Sequence, residues 1–444
     1  MRWLSTRGAA RAGWIGVMLA LALGAGGCGD PTGTSGYMDL ETVARTPSAV
    51  IDAGTVMAWA DEGRINAPLG RADRVAVVSV TTRAAFVTRR HIPDAVVLDY
   101  PTELTMVREE GLGPAGAMML AGPQMDALVQ RLGIDGHTTI VLTIPKGSSD
   151  SEQYQLAVAY WTFRYWGFPR ERLKILNGGD DAWDAAGQPL TDAVVAVTPS
   201  TYSVSGNREL KDMVRYSVGE MLALVDAVNR DRSQLATWQM LDVRGLTTSP
   251  YLANTLRGGG GMQFLRDRVN GESGRNRLYP DSATLEARMA SLPVMDGAVS
   301  AFLSPLRRTV VMCGTSTSAA PSFVLFDAVL GVPEGSIGMY DGSSSQWTSY
   351  SIARIRAAGA TAAQANAWAF DVVSPGAALT RAMGSLPAPV PGENPFVPGN
   401  FAYSPGQPEV NQIESADRAY MSRTTPGGGT PGGGGGGGTP GSGC

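Results

Sequence analysis

The chain has 444 residues, 43% of them hydrophobic and 17% charged, an ordinary composition for a folded protein and a length sufficient for two domains plus extensions. Its 36 Lys and Arg against 40 Asp and Glu leave a formal net charge of −4, without a long basic run. The electrostatic footprint of a nucleic-acid binder is therefore missing, and no nucleic-acid partner is expected.

In residues 1–28, Arg2, Arg7 and Arg11 precede an apolar stretch from Trp14 to Leu23 and then small residues up to Cys28. This is the pattern of an export signal, and the apolar stretch is shorter than the roughly 20 residues a membrane-spanning helix needs. Its end, "GAGGC", resembles the lipobox of bacterial lipoproteins, with Ala25 where that motif usually has Leu. The resemblance implies lipidation of Cys28, membrane attachment through the lipid, and a place in the cell envelope. With Gly29 and Asp30 following the cysteine, the outer membrane is favoured. The three cysteines are Cys28, Cys313 and Cys444, so a lipidated Cys28 leaves no disulfide framework and Cys313 alone in the folded part.

A linker at 29–48 leads into a first domain, 49–195. "RVAVVSV" and "TIVLT" read as buried strands, each next to a helix-compatible segment, "GTVMAWADEGRI" and "SEQYQLAVAYWTFRYWG". After a second linker at 196–214, the domain 215–360 repeats the order with "VGEMLALVDAVNR", "WQMLDVRG", "TVVMC" and "SIGMYDGSSSQW". Gly167 to Trp183 spans the same distance as Gly331 to Trp347, and Gly178 and Gly342 stand five residues before each Trp. A duplicated βαβ unit accounts for this spacing. The fold class is α/β: two domains, each a central, mainly parallel sheet flanked by helices. Residues 361–423 form a C-terminal extension in which "TAAQANAWAFDVVSPGAALTRAMG" has helical spacing. The Gly-rich tail 424–444, ending in Cys444, is too poor in apolar groups to fold.

Ligands of such sheets bind beyond the carboxyl ends of the strands, where Cys313 stands. Its counterpart in the first half is Thr143, which opens the longer loop "TIPKGSSD", so only the second half carries a thiol. After Cys313 come Gly314, Thr315, Ser316, Thr317 and Ser318, small residues that let backbone N–H groups curl around a sulfur or an oxyanion. The plain alternative is an inert buried cysteine at a strand end. A C-x5-R oxyanion clamp is excluded, because Ala319 occupies the Arg position.

"RRHIPDAVVLD", "NGGDDAW", "LDVRG", "CGTSTSA" and "YDGSSSQW", in that order, resemble the tandem rhodaneses over about residues 48 to 355. The resemblance implies two rhodanese-like domains, a first domain without catalytic cysteine, and a sulfurtransferase that passes sulfur through a Cys313 persulfide. It implies a small sulfur-containing anion as donor and a thiol or thioredoxin-like acceptor. The loop is nearer the mercaptopyruvate-type CGSGVTA than thiosulfate-type loops with basic residues, and Ser316 stands at its second Gly, a residue suited to positive φ. Arg244 and Arg257 are the implied anion-binding residues. His91 is the implied proton relay, with Thr315 at the relay's hydroxyl position and Thr82 near its Asp position. Trp183 and Trp347 are expected as core anchors, and Asp180 and Asp181 as helix-start residues. No cluster has metal-ligand spacing and Gly258–Gly261 lacks the Lys-Ser/Thr of a P-loop, so neither metal nor cofactor is expected. Contrasting readings are a non-catalytic binding or scaffold lipoprotein, and a surface protein handling selenium or tellurium oxyanions.

Overall fold

A computed structural model of the chain describes residues 47–111, 113–221, 224, 238–244, 255–256, 266–290, 293–296, 299–302, 308–347 and 411–423. Cys28, Arg257, Cys444, the export signal, the segment 361–384 and the Gly-rich tail lie outside these residues.

The first sheet contains β1 (Val50–Ile51), β2 (Val75–Thr81), β3 (Val96–Asp99), β6 (Thr139–Thr143) and β7 (Leu173–Leu176). Its order is β1-β7-β6-β2-β3 and every pairing is parallel. Strand β2, "VAVVSVT", is buried throughout, as expected of a central strand covered on both faces by helices. On one side Val75, Val77 and Val141 meet Phe86 of α2 (Arg83–Thr88) and Trp183 of α6 (Gly179–Ala185), with α1 (Ala53–Asp61) completing the layer. On the other, Val78, Val80 and Leu142 join the core with α4 (Gly122–Arg131) and α5 (Asp150–Tyr165). Helix α5 starts at a capping box in which Ser149 Oγ accepts the Glu152 N–H and Glu152 accepts the Ser149 N–H.

The second sheet repeats the arrangement with β8 (Trp238–Asp242), β14 (Arg308–Met312) and β15 (Ile337–Met339), in the order β15-β14-β8, all parallel. Arg215 bridges Met339 in parallel, where Val50 pairs Ile175 in the first sheet. Two parallel sheets flanked by helices are thus present. Their registers correct the sequence alignment of the two loops. Leu173 and Ile337 each stand ten residues before the matched Trp, and they pair with Ile140 and Thr309. Counting onward, Cys313 aligns with Ile144, and Thr143 aligns with Met312. Hydrogen bonding agrees: Asp180 N–H donates to Ile144 O (3.0 Å), as Ser344 N–H does to Cys313 O (3.1 Å).

Excursions leave each half, and a hairpin of each reaches the opposite one. From the first half, after the short helix α3 (Tyr100–Glu103), comes the antiparallel hairpin of β4 (Thr105–Glu110) and β5 (Gly113–Met119). From the second come β9 (Thr255–Leu256), the hairpin of β10 (Asp267–Arg268) and β11 (Arg277–Leu278), and strands β12 (Pro293–Asp296) and β13 (Val299–Phe302). A C-terminal helix, Gln412–Met421, packs on the β4–β5 hairpin, where Arg108 pairs Asp417 at 2.7 and 2.8 Å. Among the described residues no helix is long and apolar enough to cross a membrane.

The halves are tied by Asp327, in a π-helical turn (Leu325–Val329) of the second half. Its carboxylate accepts from Arg164 (3.0 Å), Arg170 (2.7 Å) and Tyr160 (2.7 Å) of the first half. Burial opposes ionisation of Asp327, but the two guanidinium groups outweigh it and hold the carboxyl below its ordinary range. Its contribution is present above the unfolded value of about 3.9 and is lost as pH falls through the lowered folded value. Asp327→Ala removes the buried carboxylate that Arg164 and Arg170 share and is expected to cost about 3–5 kcal/mol in urea unfolding at neutral pH, whereas an unchanged midpoint contradicts the tie.

Candidate functional site

Cys313 follows β14 directly, is 2% exposed and is a free thiol. Its loop is held from beneath by Ser343, the first residue of a short helix, Ser343–Trp347. Ser343 Oγ accepts the N–H groups of Cys313 (3.2 Å) and Ser316 (3.1 Å) and donates to Tyr340 O (2.8 Å). Ser345 closes the other side, its hydroxyl donating to Gly314 O at 2.9 Å. Ser316 has φ +71°, so the position does take the left-handed conformation that favours glycine, at a cost of about 1–2 kcal/mol for a residue with a Cβ. Ser343 also has positive φ, +48°. The Thr317 N–H turns back to Thr315 O (2.9 Å). Among the described residues, the N–H groups of Gly314, Thr315 and Ser318 meet no acceptor. A Cβ on Gly314 would have nothing within 4 Å, so the loop is open there. The sequence-level set Gly314, Thr315, Ser316, Thr317 and Ser318 thus divides into three donors left available and two turned inward.

The matched loop of the first half is closed by side chains from both halves. Asp181 aligns with Ser345 and takes the Gly147 N–H (2.9 Å), the Asn276 N–H (2.8 Å) and Arg275 (2.8 Å). Asn276 Oδ1 accepts the Ser148 N–H at 3.0 Å, and Asn276 Nδ2 donates to Pro145 O at 3.0 Å. The carboxylate of Asp181 thus takes donors of this loop and of the β10–β11 hairpin together. Asp180 and Asp181 do start a helix, α6, yet both are fully buried and their work is in the loop. Burial pushes the Asp180 carboxyl up to about 8, against the hydrogen bond from Thr143 (2.7 Å).

Arg244 lies beyond β8, next to β14, and Val243 N–H bonds Met312 O at 2.9 Å. The Arg244 side chain is therefore at the sheet edge of Cys313, with its guanidinium paired to Asp242 at 2.9 and 2.7 Å. His91 is not gathered into this site. It is fully buried in the first half, stacked on Phe86 at 3.5 Å between centroids, with Nδ1 at 2.8 Å from Phe86 O and Nε2 at 3.2 Å from Ala193 O. Both ring nitrogens face main-chain carbonyls, as in a structural histidine. Trp183 and Trp347 are buried in the core, and Tyr340 and Asp341 shape the turn before Ser343, Asp341 accepting the Gly342 N–H at 3.0 Å. Among the described residues no three His, Cys, Asp or Glu side chains group as metal ligands.

The sequence missed Ser343, although its signal was present in the hydroxyl run that follows Gly342. It also missed the β4–β5 hairpin, where Ala117 O lies 3.4 Å from Ser316 Oγ, and the plug made by Asp181.

No family model matches the chain. A Mycobacterium leprae protein provisionally named thiosulfate sulfurtransferase SseA is 26% identical over 259 residues, which cover 58% of this chain and 77% of SseA. The sulfur carrier protein TtuD of Thermus thermophilus is 28% identical over 131 residues, 30% of this chain and 41% of TtuD. A Haloferax volcanii protein, also provisionally named a thiosulfate sulfurtransferase, is 27% identical over 181 residues, 40% of this chain and 57% of its own. Of the last two relatives, the chain spans about half the length. The solved Tum1 protein of Saccharomyces cerevisiae matches 67% of this chain and 94% of its own at 18% identity, with a TM-score of 0.49. The chain is therefore related at low identity to proteins named for sulfur transfer.

Ser343→Ala removes the acceptor of two buried N–H groups. We expect a loss of about 1–3 kcal/mol in urea unfolding and faster alkylation of Cys313; wild-type values for both would contradict the role of Ser343.

Proposed function

We propose that this chain is a tandem rhodanese-type sulfurtransferase in which Cys313 carries sulfur as a persulfide. The observation that carries the proposal is the asymmetry of the two matched loops. The loop with the cysteine keeps the N–H groups of Gly314, Thr315 and Ser318 available, whereas Asp181 fills the loop without it. The relatives named for sulfur transfer support the same reading.

In the first half-reaction the Cys313 thiolate attacks the outer sulfur of a small anionic donor, thiosulfate or 3-mercaptopyruvate. A new S–S bond forms, the donor's bond to that sulfur breaks, and its electron pair leaves with sulfite or with the pyruvate enolate, which then takes a proton. An acceptor thiolate next attacks the outer persulfide sulfur and returns Cys313 as thiolate. The three N–H groups stabilise the charge on the terminal sulfur and the leaving oxyanion. Arg244 contributes positive charge at the same sheet edge, its orientation fixed by Asp242.

In this reading the chain is exported and lipid-anchored at Cys28 in the cell envelope, with rhodanese-like domains at 49–195 and 215–360. The 2% exposure of Cys313 favours a second reading, a non-catalytic binding module whose thiol is structural. Mass spectrometry of the full chain after incubation with thiosulfate or 3-mercaptopyruvate separates the two. One added sulfur on the Cys313 peptide, absent from Cys313→Ser, is the expected result. With neither donor adding sulfur, the binding module remains.

A further inference from the structure

Arg215 is fully buried at the edge of the second sheet, and carboxyls from three other segments converge on it. Glu110, at the end of β4, accepts at 2.8 and 3.2 Å. Asp341, in the turn after β15, stands at 2.9 and 3.1 Å, and Glu414 of the C-terminal helix at 3.3 Å. One guanidinium thus faces three buried carboxyls, an excess of negative charge that burial makes costly unless protons are retained.

The same cluster is linked to the cysteine loop from two sides. Asp341 accepts the Gly342 N–H, and the next residue, Ser343, holds the N–H groups of Cys313 and Ser316. Glu110 belongs to the hairpin whose Ala117 carbonyl meets Ser316 Oγ, and Gln346, in the helix begun by Ser343, donates to Glu110 at 3.3 Å. The C-terminal helix closes over the cluster. Its Asp417 pairs Arg108 of β4 and accepts from Tyr165, and its Tyr420 donates to Asp126 of α4 at 2.6 Å.

We propose that Arg215 with Glu110, Asp341 and Glu414 forms a proton-linked latch: the C-terminal helix docks through it, positions the Cys313 loop and shields the thiol, and loss of the Glu414 proton releases the helix. This assigns regulation to the proposed sulfur-carrying site and rests on Cys313 being its reactive residue. The groups facing Glu414 are Arg215, Glu110 and Tyr165 inside, Asp212 and Glu220 from the stretch around Arg215, and Arg418 of its own helix, which pairs Asp212 at 2.5 Å. Burial is the largest influence and Glu220 the next, and together they hold the Glu414 carboxyl well above its ordinary range despite Arg215. Burial likewise raises Glu110 and Glu220. A carboxyl raised in the docked state means that the docked state binds more protons. Docking is complete at low pH and weakens as pH rises through the raised value.

The test uses the full chain from about pH 5 to about pH 9 and follows two signals, iodoacetamide labelling of the Cys313 peptide and hydrogen exchange of 412–421 corrected for its intrinsic pH dependence. At the alkaline end wild type should label about fivefold or more faster than Glu414→Gln, and at the acid end equally, with helix protection falling in parallel. Asp417→Ala, which strips Arg108 of its carboxylate partner, should label fast at both ends. A constant ratio between wild type and Glu414→Gln overturns the latch. Should Glu414→Gln not fold, the wild-type exchange decides: protection independent of pH overturns it and protection lost at alkaline pH supports it. Labelling needs no sulfur donor, so a failed persulfide experiment and a failed latch are distinguishable.

Discussion

A loop that leaves a buried parallel strand must find acceptors for its N–H groups, and the two halves of this chain meet that demand in different ways. In the first half the acceptors are protein side chains, Asp181 and, from the second half's β10–β11 hairpin, Asn276. In the second, Ser345 stands where Asp181 would be and contributes a hydroxyl that donates rather than a carboxylate that accepts. Ser343 takes two of the loop's N–H groups, and three remain beside the cysteine. The matched positions thus carry opposite hydrogen-bonding chemistry, an accepting Asp181 and a donating Ser345, and the longer first loop is further closed by Asn276.

Holding such a loop at a sheet edge requires both halves. Asp327 joins the Arg164–Arg170 pair across the junction, and each half sends a hairpin over the other's loop. The chain uses buried ion pairs for these ties. Such pairs add little net stability over apolar packing but are costly to break singly, so they favour one arrangement over its neighbours. Arg215 is the extreme case, with three carboxyls and no exposure. Its placement between the hairpin, the Ser343 turn and the C-terminal helix lets a distant part of the sequence bear on the loop.

The sheets were legible because buried parallel strands are continuous apolar runs, as in "VAVVSV" and "TVVM", and because the duplication repeats their spacing. The position of Cys313 at a strand end followed from the same pattern. The Thr143 alignment was off by one residue: loops of unequal length hide the register, and only pairing of β6 with β7 and of β14 with β15 fixes it. His91 illustrates a different limit. Its motif was visible and Phe86 stands five residues before it, but the Ala193 carbonyl, 102 positions on, reaches it through tertiary packing that its neighbours in sequence do not encode. Contacts between residues more than a hundred positions apart, such as Asp417 with Arg108 and Glu110 with Gln346, leave no periodic signal. The helix Gln412–Met421 lay unmarked within the C-terminal extension for that reason.

The central claim is that the second loop offers its N–H groups to an anion and the first does not. Backbone amide NMR of the full chain titrated with thiosulfate addresses this directly. The account predicts saturable shifts at Gly314, Thr315 and Ser318 and none at Gly147 or Ser148. Equal shifts in both loops, or none at Gly314, Thr315 and Ser318, would contradict it.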